Sequence, residues 1–144
     1  MAATTFTSTL VKSGSLRDIH AGIFAAYGSF TCTATPSASQ TFLMLPIPDR
    51  VTVLDGWVKA VFSSSFSMDL KVGWIDDDSL FMAATEVLTN KSLRFNQGLP
   101  HTVTITDSDT FPLAKPLVVT IAVCASGTLT PSPVISVMAL LQRD

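Results

Sequence analysis

Apolar and polar residues alternate with a period of two along most of the chain, and this is the periodicity of β-strands rather than of helices. The clearest run covers residues 68–75, where Met68, Leu70, Val72 and Trp74 share one face. That face is predicted to meet the core. Further strands are predicted at residues 19–35, 41–47, 51–63, 101–107, 116–126 and 133–142.

Two features interrupt this pattern. Gly22 and Gly28 predict bulges or bends that split the strand at residues 19–35. The Asp-rich turn at residues 76–79 supplies N-cap residues, and the Ala-rich sequence at residues 80–88 that follows it predicts one short helix.

The chain has 144 residues, which is the usual size of one domain. Residues 1–18 are rich in Thr and Ser and only weakly periodic, so we expect an extended N-terminal arm. Residues 19–144 are expected to form one all-β domain, because many short strands follow one another with turn signals between them. This arrangement is typical of an antiparallel β-sandwich, and a jelly roll is the more specific prediction.

Charged residues make up only 14% of the chain, against about 25% in an average protein, and the net charge is −2. The nine basic residues are scattered, which argues against a nucleic-acid partner. The longest nearly apolar run, residues 117–125, is much shorter than the roughly 20 residues of a membrane helix. The first residues lack the features of a secretory signal. We therefore expect a soluble protein with no membrane partner.

Candidate catalytic residues are few. His20 and His101 are the only histidines, and no Ser lies in a nucleophile-elbow motif, so no nucleophilic triad and no enzyme activity are predicted. Cys32 and Cys124 lie far apart and form no CxxC motif. We expect both cysteines to be buried, reduced thiols.

The three consecutive carboxylates at residues 76–78 form the densest acidic cluster, and clustered carboxylates can hold calcium. Phe81 stands where the EF-hand pattern requires Gly, so turn formation and capping explain the cluster better. Asp107 and Asp109 form a weaker pair of the same kind. No metal and no cofactor are predicted.

Aromatic residues raise an alternative function. Tyr27, Trp57 and Trp74 could stack on sugars, as aromatic residues do in carbohydrate-binding β-sandwich modules. Trp74 falls in the inward set of its strand, and Trp57 lies in a strand that is apolar on both alternating sets, so both are expected in the core. A solvent-exposed Trp57 or Trp74 would favour the sugar-binding alternative.

The sequence DLKVGWIDDDSLFMAATEVL at residues 69–88 combines a strand that contains a Val-Gly step, an Asp-rich turn and a short Ala-rich stretch. A polar linker with a Gly follows at residues 96–98, and two Val- and Thr-rich strands and a final strand at residues 134–141 complete the chain. This arrangement, over roughly the second half of the chain, resembles small β-sandwich head proteins of tailed bacteriophages, the capsid decoration or cement proteins.

The resemblance implies a non-enzymatic virion protein on the capsid surface, assembled in the host cytoplasm, which stabilises a phage head by bridging major capsid subunits. Its implied partners are the major capsid protein and further copies of itself in a homotrimer. A carbohydrate-binding module remains the alternative, and so does a sandwich interaction domain with an unknown partner.

Two groups of apolar residues are the predicted contact sites. The arm could dock on a neighbour through Phe6, Leu10, Val11 and Leu16. The strands at residues 51–63 and 116–126 carry apolar residues on both faces, whereas a two-layer sandwich buries one face of each strand. The outer apolar positions are therefore expected between subunits of a homo-oligomer; they include Val58, Ala60, Val118 and Ala122.

Overall fold

The computed structural model describes residues 5–7, 22–32, 37–62, 68–87, 91–106, 109, 111, 113–124 and 133–143. Within these residues the chain forms ten β-strands and no helix. The strands are β1 (Thr5–Thr7), β2 (Gly22–Thr31), β3 (Thr41–Ile47), β4 (Val51–Val61), β5 (Met68–Trp74), β6 (Asp77–Val87), β7 (Ser92–Arg94), β8 (His101–Thr102), β9 (Lys115–Cys124) and β10 (Val134–Arg143).

The strands form two sheets that enclose the core. The front sheet has the order β2-β10-β4-β7, and β8 also pairs with β4. The back sheet has the order β1-β3-β9-β5-β6, and the pairing of β1 with β3 is parallel. In the front sheet β2 pairs with β10, the last strand of the chain. In the back sheet β3, the strand after β2, pairs with β9, the strand before β10. This antiparallel nesting is the order of a jelly roll, so the predicted fold class is confirmed.

Strand β5 shows the alternation predicted for it. Met68, Leu70, Val72 and Trp74 are all buried in the apolar cluster between the sheets. The position of Trp74 in the core is therefore confirmed.

The short helix predicted at residues 80–88 is wrong, because most of this segment belongs to strand β6. The register of β5 with β6 shifts by one residue between Leu70 and Val72, which leaves an extra residue in β6. The resulting β-bulge lies at Ala83 and Ala84, which are both exposed. The Ala content and the Asp residues before it favour a helix locally, but pairing with β5 decides the conformation of this segment.

A β-bulge also changes the faces of β4. Leu140 on β10 pairs with Asp55 and Leu141 pairs with Val53, so Leu54 is an extra residue in β4. Val51 and Val53 face the core before the bulge, and Val58 and Ala60 face it after the bulge. Both of the latter are fully buried within one chain, so their predicted position on the outer face is wrong.

The same bulge places Trp57 on the outer face of the front sheet, where it is half-buried. The expected core position of Trp57 is therefore wrong. An alternation of fixed phase cannot assign a side chain to a face once an extra residue has been inserted.

Gly28 does not split β2, which pairs with β10 over ten consecutive residues without a register shift. A β-carbon at Gly28 would collide with the carbonyl oxygen of Met44 and approach the side chain of Leu45, both on β3. Glycine at this position lets the two sheets approach closely. Gly22 begins the strand with a φ of 109°.

Cys32 is a buried thiol outside any disulfide, as predicted, whereas the side chain of Cys124 lies outside the described residues. The strand predicted at residues 101–107 is shorter than expected, since β8 ends at Thr102, although Val103 is buried as predicted. His20 and Asp107 lie outside the described residues.

Candidate functional site on the outer face of the front sheet

Four side chains form a row across the outer face of the front sheet. Met138 on β10 is the register partner of Tyr27 on β2 and of Trp57 on β4, and Trp57 is the partner of Arg94 on β7. Neighbouring strands lie about 4.8 Å apart, so the row spans roughly 14 Å. Tyr27 is 60% exposed and Met138 is 42% exposed. We call these four residues the aromatic row.

A polar row lies beside the aromatic row. Ser136 on β10 is paired with Ser29 and with Lys59, and Lys59 is paired with Ser92. The hydroxyl of Tyr27 donates a hydrogen bond to Ser136 Oγ at 3.1 Å and joins the two rows.

An open groove of about 410 Å³ is lined by residues of both rows. Val61 and Val134, which are register partners, complete its apolar wall. The lining offers aromatic rings, a thioether, hydroxyl groups and one ammonium group. These groups can bind a partner by stacking, apolar contact and hydrogen bonding.

An ion pair holds the arginine at the end of the aromatic row. Arg94 Nη2 lies 2.6 Å from Asp55 Oδ2, and Arg94 Nε donates to the same carboxylate oxygen at 2.9 Å. The backbone N–H of Gly56 donates to Asp55 Oδ1 at 2.8 Å. The hydrogen bond from Arg94 lowers the pKa of Asp55, and burial opposes this effect only in part. The carboxylate therefore stays charged and fixes the guanidinium, which is still 70% exposed.

The acidic cluster at residues 76–78 lies at and after the turn between β5 and β6. Asp78 pairs with Lys71 at 3.0 Å, and Asp76 pairs with Lys115 at 3.7 Å. Among the described residues, no group of three or more His, Cys, Asp or Glu side chains could hold a metal ion. The same residues include no helix long and apolar enough to span a bilayer.

His101 and Asp109 have partners within the fold. Nε2 of His101 accepts a hydrogen bond from Nε1 of Trp74 at 3.3 Å. Asp109 Oδ2 accepts a hydrogen bond from the backbone N–H of Thr106 at 2.7 Å, and the Asp109 N–H donates to the Thr106 carbonyl. These two hydrogen bonds close a turn, so Asp109 has a structural role there.

The eight predicted contact residues lie partly inside and partly outside the described residues. Those on the strands are buried or half-buried within one chain; they are Val58, Ala60, Val118 and Ala122. Phe6 lies in a described segment, where its backbone pairs with that of Phe42. The other arm residues lie outside the described part of the chain; they are Leu10, Val11 and Leu16. Association through the arm stays a prediction.

Met138 and Arg94 were not predicted as site residues from the sequence, and Trp57 was predicted in the core. A signal for Met138 was present, because its neighbours at 135, 137, 139 and 141 are apolar and alternate with it. No such signal existed for the row as a whole, since it depends on the register of four strands that are distant in sequence.

The protein is therefore a jelly-roll sandwich that carries the aromatic row on the outer face of its front sheet. No protein-family model matches the chain, and no curated protein matches it in sequence. Solved structures do match it. A chain of the cyanophage Pam1 capsid asymmetric unit has a TM-score of 0.69 and 16% identity, covering 90% of this chain and 92% of that chain.

A chain of the capsid of Ralstonia phage GP4 has a TM-score of 0.65 and 14% identity, covering 98% of this chain and 99% of that chain. The predicted resemblance to phage head proteins is therefore confirmed at the level of the fold.

Proposed function

We propose that this protein is a virion structural protein, and specifically a capsid decoration or cement protein that binds the outside of a phage head. In this role it bridges major capsid subunits, self-associates as a homo-oligomer with a trimer as the expected state, and joins the head in the host cytoplasm. The observation that carries the proposal is the fold shared with chains of two phage capsids over at least 90% of this chain.

The extent of the match supports a role for the whole chain. The similar region covers 92% and 99% of the two capsid chains, so those chains are about as large as this one. The likeness extends over nearly the whole of both chains rather than over one part of them.

The aromatic row supports binding to a protein surface. Tyr, Trp, Met and Arg are all enriched in protein interfaces, and Trp, Tyr and Arg are the most frequent energetic hot spots. Each of the four residues of the row is of one of these types. The low charge of the chain, 14%, also suits a surface that neighbours cover.

A carbohydrate-binding module is the second candidate, and two aromatic rings on one outer face, the exposed Tyr27 and the half-buried Trp57, favour it. These two rings lie on one face, two strand spacings or about 9.6 Å apart. Met138 stands between them, and its thioether offers no flat surface on which a sugar could stack. Capsid binding therefore explains the complete row better.

The test uses heads of the phage that encodes the chain, prepared without this protein, and measures co-sedimentation of added protein and the temperature at which the heads break. We expect the wild type to bind and to raise that temperature. Met138→Lys should weaken binding at least tenfold, because it places a charge in the centre of the contact. The matched control is Val123→Lys, which changes a residue 55% exposed on the back sheet and should bind as the wild type does.

Thermal unfolding of both variants shows whether they are folded. Absence of wild-type binding to the heads would overturn the capsid role. Retention on a polysaccharide column that is lost in Trp57→Ala would then support the sugar-binding candidate. Equal weakening in both lysine variants would contradict the assignment of the contact to the aromatic row.

A further inference from the structure

Strand β1 is an addition to a fold that is complete without it. The nested pairing of β2 with β10 and of β3 with β9 defines the jelly roll, and β1 lies beyond β3 at the edge of the back sheet. Its three residues pair in parallel with β3, with Thr5 opposite Thr41 and Thr7 opposite Leu43. The contact is made through the backbone of each strand, so any copy of the segment can make it.

Strand β3 is buried on both faces, unlike the edge strand of the front sheet. In β2, the edge strand of the front sheet, alternate side chains such as Ile23 and Tyr27 are exposed. In β3, every residue from Phe42 to Ile47 is buried, including Leu43, which lies outside the apolar cluster between the sheets. Burial of both faces makes β3 an integral strand of the sandwich, and the backbone N–H and C=O groups along its outer edge need a partner. Strand β1 is that partner at Thr41–Leu43.

The connection between β1 and β2 is longer than pairing within one chain requires. Residues 8–21 provide fourteen residues, which can span up to about 46 to 50 Å when extended. Within one chain the connection must cross the roughly 10 Å between the sheets and run about 20 Å along β2, because β2 starts at Gly22, six residues before Gly28, which lies against Met44 on β3. Fourteen extended residues exceed this distance about twofold. The length of this connection allows β1 to reach the edge of a neighbouring molecule.

Charge does not oppose such an exchange. Neither Thr5–Thr7 nor Thr41–Ile47 contains a charged residue, so one copy of β1 can replace another without like-charge contacts. The exchange of an identical segment between subunits is also a low-cost route to association, because the contacts within the folded unit are conserved.

We propose that β1 is exchanged between copies of this protein, so that Thr5–Thr7 of one subunit pairs with Thr41–Leu43 of the next subunit. The partner is a second copy of the chain, and the mode is addition of a parallel strand to a sheet edge. A closed ring of such contacts allows every subunit to give one strand and to receive one. The proposal concerns self-association and does not depend on the capsid role.

The test is disulfide trapping in a background without native cysteines, Cys32→Ala and Cys124→Ala. The double variant Thr5→Cys/Thr41→Cys places two thiols at paired positions of β1 and β3. Oxidation at micromolar concentration, followed by a non-reducing denaturing gel, should give covalent dimers and larger species. Mixing the two single variants should likewise give a covalent dimer of one Thr5→Cys chain with one Thr41→Cys chain.

The matched control is Thr5→Cys/Ser29→Cys, because Ser29 is exposed on the front sheet and measures random collisions. The control should give less than a tenth of the cross-linked product. A cross-linked double variant that still migrates as one 15.3 kDa chain would show pairing within the molecule and overturn the exchange. A double variant that forms no cross-link at all would overturn the pairing itself. Since no heads are present, either failure leaves the test of capsid binding unaffected.

Discussion

His101 is held by an aromatic cluster at one end of the core. Trp74, which is only 2% exposed, donates its indole N–H to His101 Nε2, and its ring meets Phe81 edge to face at 5.2 Å. Nζ of Lys115 lies 5.2 Å from the centre of the Trp74 ring. Because Nε2 accepts a hydrogen bond, the imidazole is neutral in this arrangement. Burial first, and then the charge of Lys115, lower the pKa of His101 from its ordinary value of 6.5.

This arrangement predicts a loss of stability in mild acid. The pKa of His101 is lower in the folded chain than in the unfolded chain, so the unfolded chain binds the proton more readily. The contribution of neutral His101 to the free energy of unfolding is therefore complete above pH 6.5, the pKa in the unfolded chain. It decreases as the pH falls from there through the lower pKa of His101 in the folded chain. His101→Gln retains an acceptor for the indole and removes the titration.

The measurement is the melting temperature of both proteins between pH 8 and pH 5. We expect a smaller decrease for His101→Gln than for the wild type. Equal decreases in the two proteins would contradict the role of His101.

At the scale of elements, the hairpin of β5 and β6 requires glycine at position 73. A β-carbon on Gly73 would collide with the carbonyl oxygen of Asp77 and would lie 2.8 Å from the backbone nitrogen of Leu80. These are backbone atoms of β6, so no rotation of a side chain can relieve the contact.

Gly73→Ala should therefore lower the free energy of unfolding by about 1 to 3 kcal/mol, the usual cost of overpacking. Urea denaturation with an unchanged m-value measures this difference. Ser29→Ala, an exposed position on an edge strand, is the control and should change stability by less than about 0.5 kcal/mol. A Gly73→Ala protein as stable as the wild type would show that β5 and β6 are not this close.

Strand positions and the sandwich class could be predicted from alternation, because β5 and β10 keep one phase along their length. The faces of β4 and the nature of β6 could not be predicted in this way. Each contains a bulge, at Leu54 and at Ala83–Ala84, and one inserted residue exchanges the inner and outer sets. The candidate site has the same difficulty, since the position of Trp57 on the outer face depends on the first of these bulges.

At the scale of the whole molecule, the two proposed contacts use different sheets. The aromatic row lies on the front sheet, whereas β1 and its partner β3 form the edge of the back sheet. Exchange of β1 therefore leaves the aromatic row available for a second partner. The two proposed contacts, with further copies of the chain and with a capsid shell, are therefore compatible with each other.

The most direct test of the capsid role is electron cryomicroscopy of heads with and without the added protein. We expect difference density on the outer surface that fits the jelly roll, with Tyr27, Met138 and Trp57 facing the shell. Density inside the head, or a jelly roll whose back sheet faces the shell, would contradict the account, and so would the absence of any added density.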